Sequence, residues 1–140
     1  MTEPLLTYRG TIYPWQCDHM GHMNVMWYVG KFDEATWQLF AALGLTPAWL
    51  RANGRGMAAV EQSIAYKKEL MAGDTVSIVS CVLEIRDKAL RFSHEMRLQD
   101  GGTVAATTTL TALHLDTAIR RACTLPTEVR DKALKYLLNS

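Results

Sequence analysis

The sequence is short of the features that mark a stapled, exported or strongly charged protein. Cysteine occurs only three times, at 17, 81 and 123. An odd, widely spaced set makes no disulfide framework and implies reduced thiols in a cytoplasmic protein. Neither sign of charge dominates: 15 Lys and Arg stand against 14 Asp and Glu, a net charge of +1. No strong field favours nucleic acid or an anionic membrane, so neither is expected as a partner. No apolar run approaches the roughly 20 residues that span a bilayer. The opening MTEPLLTYRG lacks the basic and then apolar segments of an export signal. Repeats, low-complexity tracts and linker-like stretches are also missing. One domain is expected over residues 1–140, large enough to bury a core without disulfides or metals.

What is present changes period along the chain. LLTYRGTIY at 5–13 reads as a first strand, stopped by Pro14. From Asn24 the apolar residues Val25, Val29, Phe32, Leu39, Phe40 and Leu43 recur every three or four positions, which predicts a helix to about residue 43. Asn24 suits its N-cap and Gly44 its C-terminal stop. Lys31, Asp33, Glu34 and Gln38 are assigned to its wetter face. Thr46-Pro47 opens a short second helix that ANG at 52–54 ends. Four strand-like stretches follow, with turns at Gly73-Asp74, Asp87-Lys88 and DGG at 100–102. The cleanest is LRFSHEMRL, where residues 90, 92, 94, 96 and 98 alternate with charged and polar ones. A last helix is expected from about Pro126. The order predicts an α+β fold: a five-stranded antiparallel sheet, four of its strands in a meander, wrapped around one long central helix.

Chemistry concentrates in CDHMGHMNVMWY, residues 17–28. The stretch lies between the first strand and the long helix. A helix start offers unpaired N–H groups and partial positive charge, which suits an oxygen that gains negative charge in a transition state. Asp18 is close enough in sequence to fold back onto those amides. Taken alone, it reads more readily as a solvated loop carboxylate or a cap. His19 and His22 form an H-x-x-H pair, but no third and fourth metal ligand is spaced to join them, so no metal is expected. His22 is expected to brace the turn or to orient Asp18. Cys17 beside Asp18 lacks the positive surroundings that form a thiolate and reads as a small packed residue. His94 falls on the apolar face of its strand, where a hydrogen-bonded core histidine is the default.

The segment DHMGHMNVMWYVGKFDEATWQLFAALGL resembles the signature of hot-dog-fold acyl-CoA thioesterases of the 4-hydroxybenzoyl-CoA thioesterase type. Asp18, Gly21-His22, Asn24, Tyr28, Glu34-Ala35 and Gly44-Leu45 stand at its places. IAYKKELMAGD, DGGTVAATTTLTALHLD and RACTLPTEVRDKAL resemble that family's later strands and tail, so the likeness covers about residues 7–135. Two positions depart: Trp27 replaces a common Asn, and Leu70 a common Pro. The resemblance implies a hot-dog fold and hydrolysis of an acyl-CoA, with no cofactor. It implies Asp18 as general base or nucleophile and backbone amides around Val25 against the thioester carbonyl. It also implies dimers or tetramers with sites between subunits. Substrate contacts are then expected from His22, Asn24, Trp27 and Tyr28, from Glu61 and Ser63 across the interface, and from Lys67, Lys68 and Arg91 toward the CoA phosphates. A hydratase or dehydratase on the same fold, and a non-catalytic acyl-binding module, are the alternatives. The first needs a His–acid spacing that His19, Asp18 and His22 do not match.

Overall fold

In the computed structural model, which describes residues 3–138, each change of period in the sequence becomes a change of element. Strand β1 is Leu5–Thr11 and is followed by a single 3-10 turn at Pro14–Gln16. The long helix α1 runs Val25–Ala42 and the short α2 Pro47–Asn53. Then come β2 (Arg55–Tyr66), β3 (Thr75–Ile85), β4 (Ala89–Leu98), β5 (Val104–Asp116), β6 (Arg121–Ala122) and α3 (Thr127–Leu134). One antiparallel sheet curls around α1, the hot-dog arrangement that the resemblance implied.

The strand order is β1-β3-β4-β5-β2, with β6 added on β5. This corrects the expected four-strand meander. Only β3, β4 and β5 follow one another as hairpins; β2 pairs with β5 at one edge, and β1 with β3 at the other. The cause is the segment 67–74. It leaves the sheet at Tyr66, buries Leu70 completely, and gives the Leu70 carbonyl to the Met23 N–H at 2.7 Å. The chain is thereby drawn toward the start of α1 instead of turning back beside β2. The sheet also has a sixth strand where five were expected. β6 bonds Leu115 and Asp116, beyond Leu113, where the pairing of β4 stops.

Both caps of α1 are as the sequence implied. The Asn24 side chain accepts from the Met26 N–H at 3.0 Å, and Gly44 follows the helix at φ 91°, a conformation that favours glycine. Most of the assigned apolar face is buried: Phe32, Leu39, Phe40 and Leu43 point inward, together with Ala35. The first turn is the exception, since Val25 and Val29 are 57% and 41% exposed and Tyr28 takes the inward place. Lys31 is a second correction: it is buried, not on the wet face. Its Nζ donates to the Tyr8 hydroxyl at 3.0 Å and lies 5.3 Å from the centre of that ring. The Tyr8 ring in turn lies over Gly10, where any Cβ would collide with the phenol.

The core has two apolar clusters. One gathers Ile12, Met23, Tyr28, Phe32, Val76 and Met96 near the start of α1; the other gathers Leu39, Phe40, Leu50, Phe92 and Val129 near α2 and α3. His94 sits between them, with Phe32 stacked on one side at 5.9 Å and Phe92 edge-on at 5.4 Å. Its Nε2 meets Thr36 Oγ1 at 2.8 Å and its Nδ1 meets Ser80 Oγ at 2.6 Å. It is thus the hydrogen-bonded core histidine that alternation predicted. Among the described residues no helix is long and apolar enough to cross a membrane, and all three cysteines are free thiols.

Candidate active site

Residues 17–23 fold into a tight turn that sets Asp18 beside the start of α1. Cys17 and Met23 bridge its ends. The Asp18 N–H donates to the His22 carbonyl at 3.1 Å, and the Gly21 N–H to the Asp18 carbonyl at 2.9 Å. Gly21 takes φ 89°, which a side chain would strain. Two further bonds hold the turn in place: Asn24 N–H to the Gln16 carbonyl, and Met23 N–H to that of Leu70.

Inside this turn the Asp18 carboxylate is held at both oxygens. Oδ1 accepts from the Met20 N–H at 2.9 Å and Oδ2 from the Asn24 side-chain amide at 2.9 Å. The backbone bond first, and then the amide bond, hold the carboxyl below the usual aspartate value, so it is ionised at neutral pH. Asn24 faces both ways: its Nδ2 serves Asp18 and its Oδ1 accepts from Met26 N–H. One side chain therefore fixes the distance between the carboxylate and the helix N-terminus. Trp27 N–H returns to the Asn24 carbonyl. The Val25 N–H, at the first helical position, has no acceptor among the described residues, as expected for a helix start.

A pocket of about 290 Å³ opens beside this helix start. It brings together five residues singled out from the sequence: His22, Val25, Tyr28, Lys67 and Lys68. Tyr28 is buried, donates from its hydroxyl to the Lys68 carbonyl at 3.1 Å, and has its phenol pKa pushed up by burial. Lys67 and Lys68 also border a wider depression of about 730 Å³ toward Asp74 and Asp100. Tyr66 and Glu69 line the smaller pocket too and were not foreseen. Glu69 explains His22, whose Nε2 lies 3.4 Å from it and does not orient Asp18. Among the described residues no three His, Cys, Asp or Glu side chains gather around one point.

Other residues singled out from the sequence stand apart. Glu61 and Ser63 are exposed on β2. Arg91 lies opposite Thr111, five residues along β5 from the Ala106 that pairs with Tyr66, or about 17 Å at strand spacing. Its guanidinium faces Glu84 at 3.8 Å. Trp27 is half-buried against the first core cluster.

A model of the thioesterase-like superfamily matches residues 12–133. The chain belongs to that superfamily. It is 32% identical over 86% of its length to an L-carnitine dehydrogenase/betainyl-CoA thioesterase of Agrobacterium fabrum, but spans only 24% of that longer protein. It is 27% identical to a betainyl-CoA thioesterase of Pseudomonas aeruginosa, over 82% of this chain and 72% of that one. A Staphylococcus aureus protein solved in complex with CoA shares the fold at a TM-score of 0.89 and 19% identity, covering 100% of this chain and 90% of its own. Within this thioesterase-like chain, the superfamily match spans Asp18, the whole of α1 and the lysines at 67 and 68.

Proposed function

We propose that this domain hydrolyses acyl-CoA thioesters at the Asp18 turn, releasing a carboxylic acid and CoA. The observation that carries the reading is the Asp18–Asn24–Met26 relay. It ties an ionised carboxylate to a helix start whose Val25 N–H is free to bond an oxyanion. The thioester carbonyl would sit at that N–H. As general base, Asp18 takes a proton from water while the water oxygen attacks the carbonyl carbon; the C–S bond then breaks and the CoA thiolate takes up a proton. As nucleophile, a carboxylate oxygen attacks instead, CoA thiolate leaves, and water cleaves the mixed anhydride. Both routes need the anion, the form that Asp18 takes at neutral pH. Lys67 and Lys68 at the pocket mouth suit the CoA phosphates.

A two-chain assembly fits the exposed surface. β2 is a 12-residue edge strand, exposed at Val60 and Tyr66, and edges of this length tend to pair. α1 exposes Val25, Met26, Val29 and Trp37 beside it. Edge-to-edge pairing of two copies would cover the β2 edge, set the exposed α1 residues beside the join, and bring Glu61 and Ser63 of one copy toward the site of the other.

Asp18→Asn keeps the shape and removes base and nucleophile. With a panel of acyl-CoAs that includes betainyl-CoA, turnover followed by free-thiol release is expected to fall by about 10²-fold or more. A folded variant with near-unchanged turnover removes Asp18 from the reaction. The His22–Glu69 contact keeps a hydratase reading in view, and an enoyl-CoA absorbance assay separates it.

A further inference from the structure

Hydrolysis at the helix start makes no demand on the second and third turns of α1, yet a groove of about 360 Å³ runs along them. Met26, Val29, Gly30 and Asp33 line it from the helix, and Ala59 and Leu110 from β2 and β5. Gln62 also borders it, with its Nε2 donating to Thr108 Oγ1 at 3.3 Å. Asp33 is the only charged group in that lining. Its carboxylate has neither a hydrogen bond nor an ion pair among the described residues. Gly30 keeps the groove open: a Cβ there would meet nothing within 4 Å. A glycine inside a helix costs about 1 kcal/mol relative to alanine, so the space is kept against the helix's own preference.

The groove is continuous with the proposed site. Its near end is Met26, whose N–H bonds Asn24, which in turn holds Asp18. Asp33 lies two turns farther on, about 10 Å along the axis. Side chains on a helix lean toward its N-terminus, so the carboxylate is directed back toward the thioester end. Methionine, valine, alanine and leucine around one carboxylate suit a group with apolar surface, a positive charge and no hydrogen-bond donors to satisfy. A quaternary ammonium has those properties. A neutral acyl group would desolvate Asp33 without giving it a partner, and an anionic one would meet repulsion.

We propose that this groove takes the acyl group of the substrate and that Asp33 selects acyl groups carrying a quaternary ammonium several bonds from the thioester carbonyl. The inference rests on the thioesterase reading above. Its test compares γ-trimethylammoniobutyryl-CoA with the isostere in which carbon replaces the nitrogen, followed by thiol release. The wild-type chain is expected to favour the cation in kcat/KM by about two- to fivefold, the scale of one solvent-accessible charge pair, with the ratio shrinking as salt is added. In Asp33→Asn the ratio should collapse toward one. Asp33→Glu should restore part of it, and Asp33→Lys should reverse it in favour of glutaryl-CoA. Equal wild-type rates for cation and isostere overturn the inference, as does an Asp33→Asn variant that keeps the wild-type ratio; the thioesterase reading survives both. No thiol release from any acyl-CoA in the panel sinks that reading, and this inference with it.

Discussion

At Asp18 a carboxylate, a side-chain amide and two backbone N–H groups are linked at the open end of α1. At His94 an imidazole and three hydroxyls are linked beneath its middle. The two clusters use similar bonds of 2.6–3.2 Å and both anchor the helix, but they differ in what is left over. Asp18 is half-exposed, and two bonds leave lone pairs unused on its carboxylate. Around His94 everything is enclosed. The chain runs from the Ile78 carbonyl through Thr7, Ser80, His94 and Thr36 to the Phe32 carbonyl, which makes five contacts. Three hydroxyls and a neutral ring supply four protons for these five contacts, so at most four are hydrogen bonds at once and no donor is spare. A polar cluster becomes a reactive site by keeping capacity and access. The same groups, sealed and fully used, hold the helix in register over the sheet.

The largest effects should separate the two clusters by which quantity moves. His94→Ala leaves Thr36 and Ser80 short of a partner and opens a cavity, for an expected loss of about 3 kcal/mol in stability by urea unfolding. Asp18→Asn, with its large expected loss of turnover, should change stability by less than about 1 kcal/mol. A catalytically dead but undestabilised His94 variant would break the contrast.

Acid sharpens it. Burial lowers the His94 pKa from 6.5 to about 4. The unfolded chain therefore binds the extra proton first, and stability should fall as pH drops from 6.5 to about 4, by roughly 3 kcal/mol in total. Asp18 behaves oppositely. Its bonds from Met20 and Asn24 lower a carboxyl pKa, so the anion survives until pH falls below the ordinary value of 3.8. Activity lost between pH 6.5 and 4 through the fold should thus follow unfolding seen by circular dichroism, not titration of Asp18. His94→Asn should flatten the stability slope in that range; an unchanged slope assigns the acid sensitivity elsewhere.

A smaller effect is expected where one residue serves both site and helix. Asn24→Ala removes the cap of α1 and one of the two bonds to Asp18. Stability should drop by about 1 kcal/mol, and turnover by about tenfold as the carboxylate loses its fixed distance from Val25. Asn24→Asp keeps the cap but sets two carboxylates side by side, so it should retain stability and lose activity. Equal retention of both would show that the relay does not position Asp18.

Much of this was legible because it is local. Caps at Asn24, Thr46 and the glycines at 44 and 54, alternation in β4, and β-branched density in β3 each act within a few residues. The Asp18 turn is legible for the same reason: its partners Met20 and Asn24 lie two and six positions away. The rest is set by contacts distant in sequence. Lys31 is buried because Tyr8 lies 23 residues earlier, and His22 turns from Asp18 because the crossover segment brings Glu69 beside it. β2 seeks β5 because Leu70 pulls the intervening chain under the helix. Asp33 resembled any solvated helix residue until the groove was seen. Gly30 carried a sequence signal that went unused, since a glycine in the interior of a long helix is costly without a reason.

The smallest expected effect tests that reason. Gly30 lies in a helix interior without positive φ, so alanine fits the backbone. Nothing lies within 4 Å of the added Cβ, so no clash opposes the gain in helix propensity. Gly30→Ala should stabilise the chain by up to about 1 kcal/mol, a rise of roughly 3–5 °C in Tm for a domain of this size. The methyl also narrows the groove, so KM should rise for branched acyl groups more than for acetyl-CoA, while kcat for acetyl-CoA, whose acyl group stops short of Gly30, stays near wild type. Gly30→Leu should extend both the narrowing and the discrimination. If Gly30→Ala instead destabilises the chain or dissociates an oligomer, the open space is filled in solution by another copy. The face of α1 between Met26 and Asp33 would then belong to an interface, not to the acyl group.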